Sequence, residues 1–164
     1  GKEFGIEPYG TECLHVMRAE KGFIMIGDET DGTVIPQDLN MEWALSKKKE
    51  DFLGKRAHLR SHMSDPSRWK LVGLKTIDPD IVIPDGAYAT DGSVRENGVK
   101  NMIGRVTSTY FSPTLNRSIA MGLVKFGPDR MGEIIDFPTL DGKIIKAEIC
   151  NQVFLDPEGE RQNV

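Results

Sequence analysis

The chain has 164 residues, is 38% hydrophobic and carries a formal net charge of −4. That length can bury a core as one domain or two small ones. The acidic balance, with no Lys/Arg stripe interleaved with aromatics, argues against a nucleic-acid surface. No apolar run approaches the roughly eighteen residues that a membrane-spanning helix needs, and Gly1 to Gly5 do not form a signal peptide. The sequence therefore reads as soluble, unexported and cytoplasmic, and its glycine start hints at a piece of a longer polypeptide.

In chain order, Thr11 to Lys21 places apolar residues at Cys13, Leu14, Val16 and Met17 and is followed by Gly22, which predicts an amphipathic helix with a glycine just past its end. Phe23 to Ile26 reads as a short strand, Asp28 to Gly32 as a turn, Pro36 to Leu39 as a single helical turn and Trp43 to Leu45 as another strand. Gly54 to Met63 predicts a second helix. The turn cluster Ser64 to Ser67 marks a boundary that divides residues 1–65 from residues 66–164. Beyond it, strands are expected at Leu71–Leu74, Ile103–Thr107, Ile119–Val124, Glu133–Phe137 and Ile144–Ile149. They are separated by the turn signals Asp85-Gly86, Asp91-Gly92, Ser112-Pro113 and Asp141-Gly142. This is the rhythm of a small antiparallel barrel or sandwich, so the fold class is α+β with a β-rich second half. The two cysteines, Cys13 and Cys150, are too far apart to suggest a disulfide framework and are expected to be buried thiols.

Glu20 is the residue that stands out. It lies three residues after Met17 and four after Val16, on the side of the apolar stripe. A carboxylate there needs donors, because burying it without compensation is strongly unfavourable. Either it sits wet at the helix end beside Arg18 or Lys21, or a ligand supplies the donors; periodicity leaves both open. Lys47, Lys48 and Lys49 form a charge run, either a solvated face or a site for an anionic tail. His58 and His62 are spaced i, i+4 but have no third ligand, so no metal is expected. Asp28, Glu29 and Asp31 lack the spacing of a calcium loop and read as a turn.

Four blocks in order resemble the glycine-cleavage T-protein (aminomethyltransferase) family. The first is Gly10 to Gly22, with its Arg18-x-Glu20-x-Gly22 ending, followed by Gly27-Asp28 and Pro36. The second runs from Trp43 through Lys49 to Asp51-Phe52 and Gly54-Lys55-Arg56. Gly104 to Ser108 with Phe111 to Leu115 is the third, and Ile119 to Val124 the fourth. Within the family, His15 to Gly22, Asp31-Gly32-Thr33, Ser46 to Lys49 and Asp156 to Arg161 look most like the sarcosine oxidase alpha-subunit group, with dimethylglycine dehydrogenases the nearest rival. The resemblance implies a partial aminomethyltransferase folate-binding domain in residues 1–65 and a C-terminal antiparallel β-barrel in residues 66–164.

It also implies tetrahydrofolate as the ligand, with Glu20 accepting from the pterin ring N–H and 2-amino group. Lys49 stands where the family carries a basic residue, usually arginine, that helps to hold the folate; lysine keeps the charge but loses the planar fork. Phe111 takes an aromatic position that packs either near the folate or in the barrel core. The family's amino-terminal half, with its catalytic aspartate, has no counterpart among these residues, so this segment alone is not expected to be catalytically competent. By the same resemblance, flavin and NAD belong to other parts of a parent complex. The partners are then the other oxidase subunits and the remaining amino-terminal part of the same subunit. The reaction implied is flavin oxidation of sarcosine elsewhere, with capture of the methylene unit here as 5,10-methylenetetrahydrofolate. A non-catalytic subunit-docking module is the rival reading, and titration with a reduced folate separates the two.

Overall fold

The computed structural model describes residues 1–163. Six strands carry most of the core: β1 (Trp69–Thr76), β2 (Tyr88–Val94), β3 (Lys100–Ser112), β4 (Arg117–Lys125), β5 (Ile134–Pro138) and β6 (Ile144–Cys150). They close into a barrel in the order β1-β4-β3-β2-β5-β6, and β6 returns to β1 through the pairs Gly73↔Cys150 to Thr76↔Ala147. Every pairing is antiparallel.

The apolar run of β4 is explained by two buried faces. Ala120 and Val124 point inward to a cluster with Val72, Leu74, Val106, Phe137 and Ile149. Their neighbours Ile119, Met121 and Leu123 point outward, where with Leu71 they are covered by Ala19 and Leu39. Successive side chains alternate across a strand, so only a strand sandwiched on both sides reads as an unbroken apolar stretch. The segment before Trp69 thus supplies the cover for one side of the barrel.

That cover comprises α1 (Thr11–Glu20), the short α2 (Lys55–His58), and single 3-10 turns that include Pro36–Leu39 and Glu42–Ala44. The end of α1 is a Schellman arrangement: the Gly22 amide donates to the Ala19 carbonyl (3.0 Å) and the Phe23 amide to the Arg18 carbonyl (2.8 Å). Gly22 sits at φ +69°, and a Cβ there would lie 2.7 Å from the Gln152 carbonyl oxygen, so both the turn and the packing require glycine. The Pro36 turn is tied to the strand region by Arg68, whose Nε and Nη2 donate to Asp38 Oδ1 (2.9 Å) and Oδ2 (2.5 Å).

The helix and turn expectations at Thr11–Lys21 and Pro36–Leu39 match α1 and the 3-10 turn; four of the five expected strands fall within β1, β3, β4 and β6, and Glu133–Phe137 matches β5 apart from Glu133, which precedes it. Three expectations are corrected. Phe23–Ile26 makes no strand; Ile26 forms a single bridge to Thr30 and is 90% exposed. Trp43 and Ala44 lie in a 3-10 turn, not a strand. The helix expected over Gly54–Met63 is one turn, Lys55–His58. Ile24 packs on the outer cluster, but no strand lies beside Phe23–Ile26 or Trp43–Leu45 to pair with them, and the Gly54–Met63 segment buries too little to extend its single turn. β2 has no strand pattern in the sequence because Asp91-Gly92 lies inside it. Gly92 takes φ +82° where the β2–β3 register slips, so a turn signal sits in the middle of a strand.

Two features shape the site. β3 carries a register shift between Val106 and Ser108, which lets the adjacent Thr107 and Ser108 hydroxyls both reach the same carboxylate. The seam between β2 and β5 rests on the single pair Thr90↔Asp136, and Pro138 has no N–H with which to extend it.

Candidate functional site

The stripe Cys13, Val16, Met17 and Glu20 recurs at helical spacing on α1, yet only its Glu20 end reaches the barrel. Ala19 packs on the outer cluster, and the residues of α1 that are buried are Arg18, Ala19 and Glu20. Met17 and Leu14 are exposed, and so is Cys13, contrary to the expectation of a buried thiol. The stripe instead forms one wall of a cleft of about 750 Å³ between α1 and the end of β3. Tyr110, Phe111 and Pro113 line the opposite side, with Val82 beside them.

Glu20 is the polar end of that wall. It is 3% exposed, and its Oε1 accepts from the Ser112 hydroxyl at 2.5 Å. Among the described residues nothing donates to Oε2, although the residue lines the cleft. Its backbone carbonyl accepts the Phe154 and Leu155 amides, both at 2.9 Å, which anchors the helix end to the segment after β6. Neither Arg18 nor Lys21 pairs with it. Arg18 turns to Glu29 and Asp28, and Lys21 to Asp156. A nearly buried carboxylate with acceptor capacity to spare is suited to a ligand that offers adjacent N–H groups.

The wall is held in place by a buried ion pair that was invisible in the sequence. Glu29 was read as part of a turn, and it does sit in one, but it is fully buried. Arg18 Nη1 donates to its Oε2 at 2.7 Å, as does the Met25 amide at 2.7 Å. Thr107 Oγ1 donates to its Oε1 at 2.9 Å, and Ser108 Oγ makes a short bond to the same atom. Arg18 also donates through Nη2 to Ser108 Oγ (2.6 Å) and Tyr110 Oη (3.3 Å). These bonds lock α1 to β3, the two sides of the cleft.

Of the three residues singled out from the sequence, the cleft brings together Glu20 and Phe111, the latter 39% exposed. Lys49 is exposed, outside the lining of the cleft, as are Lys47 and Lys48. Ser112, Tyr110 and the Arg18–Glu29 pair were missed. Ser112-Pro113 signals a turn but says nothing of a carboxylate partner, and the partners are separated by up to 92 residues. His58 Nδ1 lies 3.3 Å from Gln37 Nε2. No group of three or more His, Cys, Asp or Glu among the described residues is placed to hold a metal ion. Among the described residues, no helix is long and apolar enough to cross a membrane.

Residues 70–156 match the glycine cleavage T-protein C-terminal barrel domain, and residues 1–49 match the GCVT N-terminal domain. The chain is 44% identical over 164 residues to a sarcosine oxidase subunit alpha of Corynebacterium sp. (strain P-1), covering 99% of this chain and 17% of that protein. It is 38% identical to the Rhizobium meliloti (strain 1021) subunit, covering 100% of this chain and 16% of the relative. An aminomethyltransferase of Thermosipho melanesiensis is 34% identical over 147 residues, 90% of this chain and 37% of that one. This chain therefore spans about a sixth of the oxidase subunits it matches. Its fold is similar to the crystal structure of glycine cleavage system aminomethyltransferase T from Bartonella henselae, with a TM-score of 0.77, 30% identity, and coverage of 92% of this chain and 40% of that one. A six-stranded closed barrel, a matching barrel domain over more than half the residues and relatives of two kinds that share it lead to one conclusion: the chain belongs to the glycine cleavage T-protein (aminomethyltransferase) family.

Proposed function

We propose that this chain is the tetrahydrofolate-handling, carboxy-terminal part of a sarcosine oxidase alpha-type subunit, where it helps to capture the one-carbon unit of sarcosine as 5,10-methylenetetrahydrofolate. The observation that carries the reading is the carboxylate of Glu20, almost buried in the wall of an aromatic-lined cleft, with Oε2 unpartnered. The similarity to oxidase alpha subunits at 44% and 38% identity adds the parent reaction. When bound, tetrahydrofolate would supply the nitrogen nucleophiles that accept the one-carbon unit.

The residues of this chain would bind and orient. The Glu20 oxygens accept the adjacent N–H donors of the pterin edge, the Phe111 and Tyr110 rings offer apolar walls, and the Arg18–Glu29 pair keeps α1 at its distance from β3. Orientation of this kind lowers a barrier by positioning. Lys49 contributes positive charge toward the anionic tail of the folate from the exposed surface, not from within the cleft. Residues 1–65 form the end of the folate-binding domain and residues 66–164 the barrel domain. Flavin, NAD, the rest of the alpha subunit and the other subunits complete the enzyme, which is cytoplasmic.

Anaerobic titration of the subunit with tetrahydrofolate, followed by calorimetry, tests the reading. Saturable binding of one equivalent is expected, lost on competition with a folate analogue. A folded subunit that evolves no heat with tetrahydrofolate overturns it. A second reading, a subunit-docking module, is favoured by a groove of about 790 Å³ at the weak β2–β5 seam, where Tyr88, Met102 and Leu140 are exposed. Subunit assembly that fails when Leu140 and Met102 are replaced by serine, with folate binding absent throughout, is the outcome that reading requires.

A further inference from the structure

Glu20 can present an oxygen to a ligand only if something else holds its side chain, and the arrangement around Ser112 shows what does. Ser112 is fully buried at the last position of β3. Its Oγ accepts the Leu115 amide at 3.0 Å across the β3–β4 turn and lies 2.5 Å from Glu20 Oε1. A carboxylate has no hydrogen to give, and a hydroxyl has one. With the amide already pointing at the serine oxygen, the hydroxyl proton goes to Glu20, and the direction of the chain is fixed: Leu115 N–H to Ser112 O–H to Glu20 Oε1. Successive donors in such a chain polarise one another.

We propose that Ser112 is a positioning residue for the carboxylate of Glu20, tying Oε1 to the protein through one of its acceptor sites and leaving Oε2 wholly free, so that both oxygens face the ligand in a fixed orientation; this rests on the folate reading above. Two restraints act at opposite ends of the glutamate. The Phe154 and Leu155 amides hold its backbone carbonyl, and Ser112 holds the side chain. An ionised carboxylate offers about four acceptor sites, of which Ser112 takes one, so a two-donor ligand edge can still be met by both oxygens. The turn after β3 thereby sets the orientation of a group on α1, a helix 92 residues earlier in the chain. Ser112 touches neither the reacting atoms nor the ligand in this account and acts through Glu20 alone.

The test is a double-mutant cycle in the intact oxidase, with Ser112→Ala, Glu20→Gln and the pair, each assayed for tetrahydrofolate Kd, the KM for tetrahydrofolate and sarcosine turnover. Ser112→Ala is expected to weaken tetrahydrofolate roughly three- to tenfold, the loss of one net hydrogen bond, with sarcosine turnover unchanged. In the Glu20→Gln background the same change is expected to cost less than about twofold, because residues that act as a unit are not additive. If Ser112→Ala does not accumulate, Ser112→Cys carries the test, since it leaves no cavity but donates weakly. Equal losses in both backgrounds, or a fall in sarcosine turnover, would reveal a merely structural serine and overturn the proposal. An unchanged Kd for Ser112→Ala with a weakened Glu20→Gln would sink the positioning role alone. An unchanged Kd for Glu20→Gln would remove the folate reading on which it rests.

Discussion

Replacing Arg18 with methionine is the perturbation that most directly probes how the cleft is built. Methionine keeps much of the length of the side chain but leaves Glu29 fully buried without its cation. The carboxylate would retain the Met25 amide and the hydroxyls of Thr107 and Ser108, so it remains hydrogen-bonded but uncompensated in charge. Removing one partner of a buried pair typically costs about 3–5 kcal/mol, whereas replacing both by apolar groups of similar volume is often neutral. Arg18→Met is therefore expected to lower stability by about 3–5 kcal/mol, and Arg18→Met with Glu29→Leu by much less than the single change. At roughly 2–4 °C per kcal/mol for a chain of this size, the single variant should melt about 6–20 °C lower. Urea unfolding monitored by circular dichroism gives the free energies, with m values checked for constancy. A single-variant loss below about 1 kcal/mol, or a double variant worse than the single, would refute the claim that this pair locks α1 to β3.

Four further outcomes follow from particular residues. Gly22→Ala is expected to destabilise by at least about 1 kcal/mol, since it puts a Cβ at positive φ and 2.7 Å from the Gln152 carbonyl; a melting point equal to wild type would contradict that. Burial pushes the Cys150 thiol up to about 11, while Cys13 is exposed, so alkylation of the native protein near pH 8 should modify Cys13 first, and equal rates by mass spectrometry would argue otherwise. The raised Cys150 value also means that its contribution to stability is intact below about pH 9 and is lost as pH climbs toward 11, readable as an alkaline fall in melting point absent from Cys150→Ala. The Thr139 hydroxyl and the Lys143 side chain hold the Asp141 carboxyl down to about 2. Its stabilisation of the β5–β6 turn should be complete above about pH 4 and lost progressively as pH falls to about 2, and a carboxyl titration midpoint near 3.8 by NMR would refute this.

The barrel was legible because β4 and its neighbours are sandwiched on both faces, and such strands declare themselves as apolar runs such as Ile119 to Val124. β2 was not, because the register slip at Gly92 inserts a turn residue into a paired strand. On α1 the period was right and the direction was not. Cys13, Val16 and Met17 mark an apolar face, but periodicity cannot say whether that face meets the barrel or a cleft, and it meets the cleft. Glu20 was legible as an anomaly because an acid on that face needs a donor. The identity of the donor was not, since Ser112 lies 92 residues away. Glu29 was the harder case, an acid in a polar turn whose burial depends on Thr107 and Ser108 being turned together by the slip in β3.

The central claim is that Glu20 is the residue through which this chain holds tetrahydrofolate, and the partition of product in the intact oxidase tests it most directly. Glu20→Gln keeps the shape but places an amide donor where an acceptor is wanted, at an expected cost of about 1.5–3 kcal/mol, or roughly ten- to a hundredfold in affinity. With sarcosine and limiting tetrahydrofolate, wild type should yield 5,10-methylenetetrahydrofolate. The variant should release more free formaldehyde at equal sarcosine turnover. A variant that binds tetrahydrofolate as tightly as wild type and releases no additional formaldehyde would make Glu20 an ordinary buried helix-end glutamate and contradict the account.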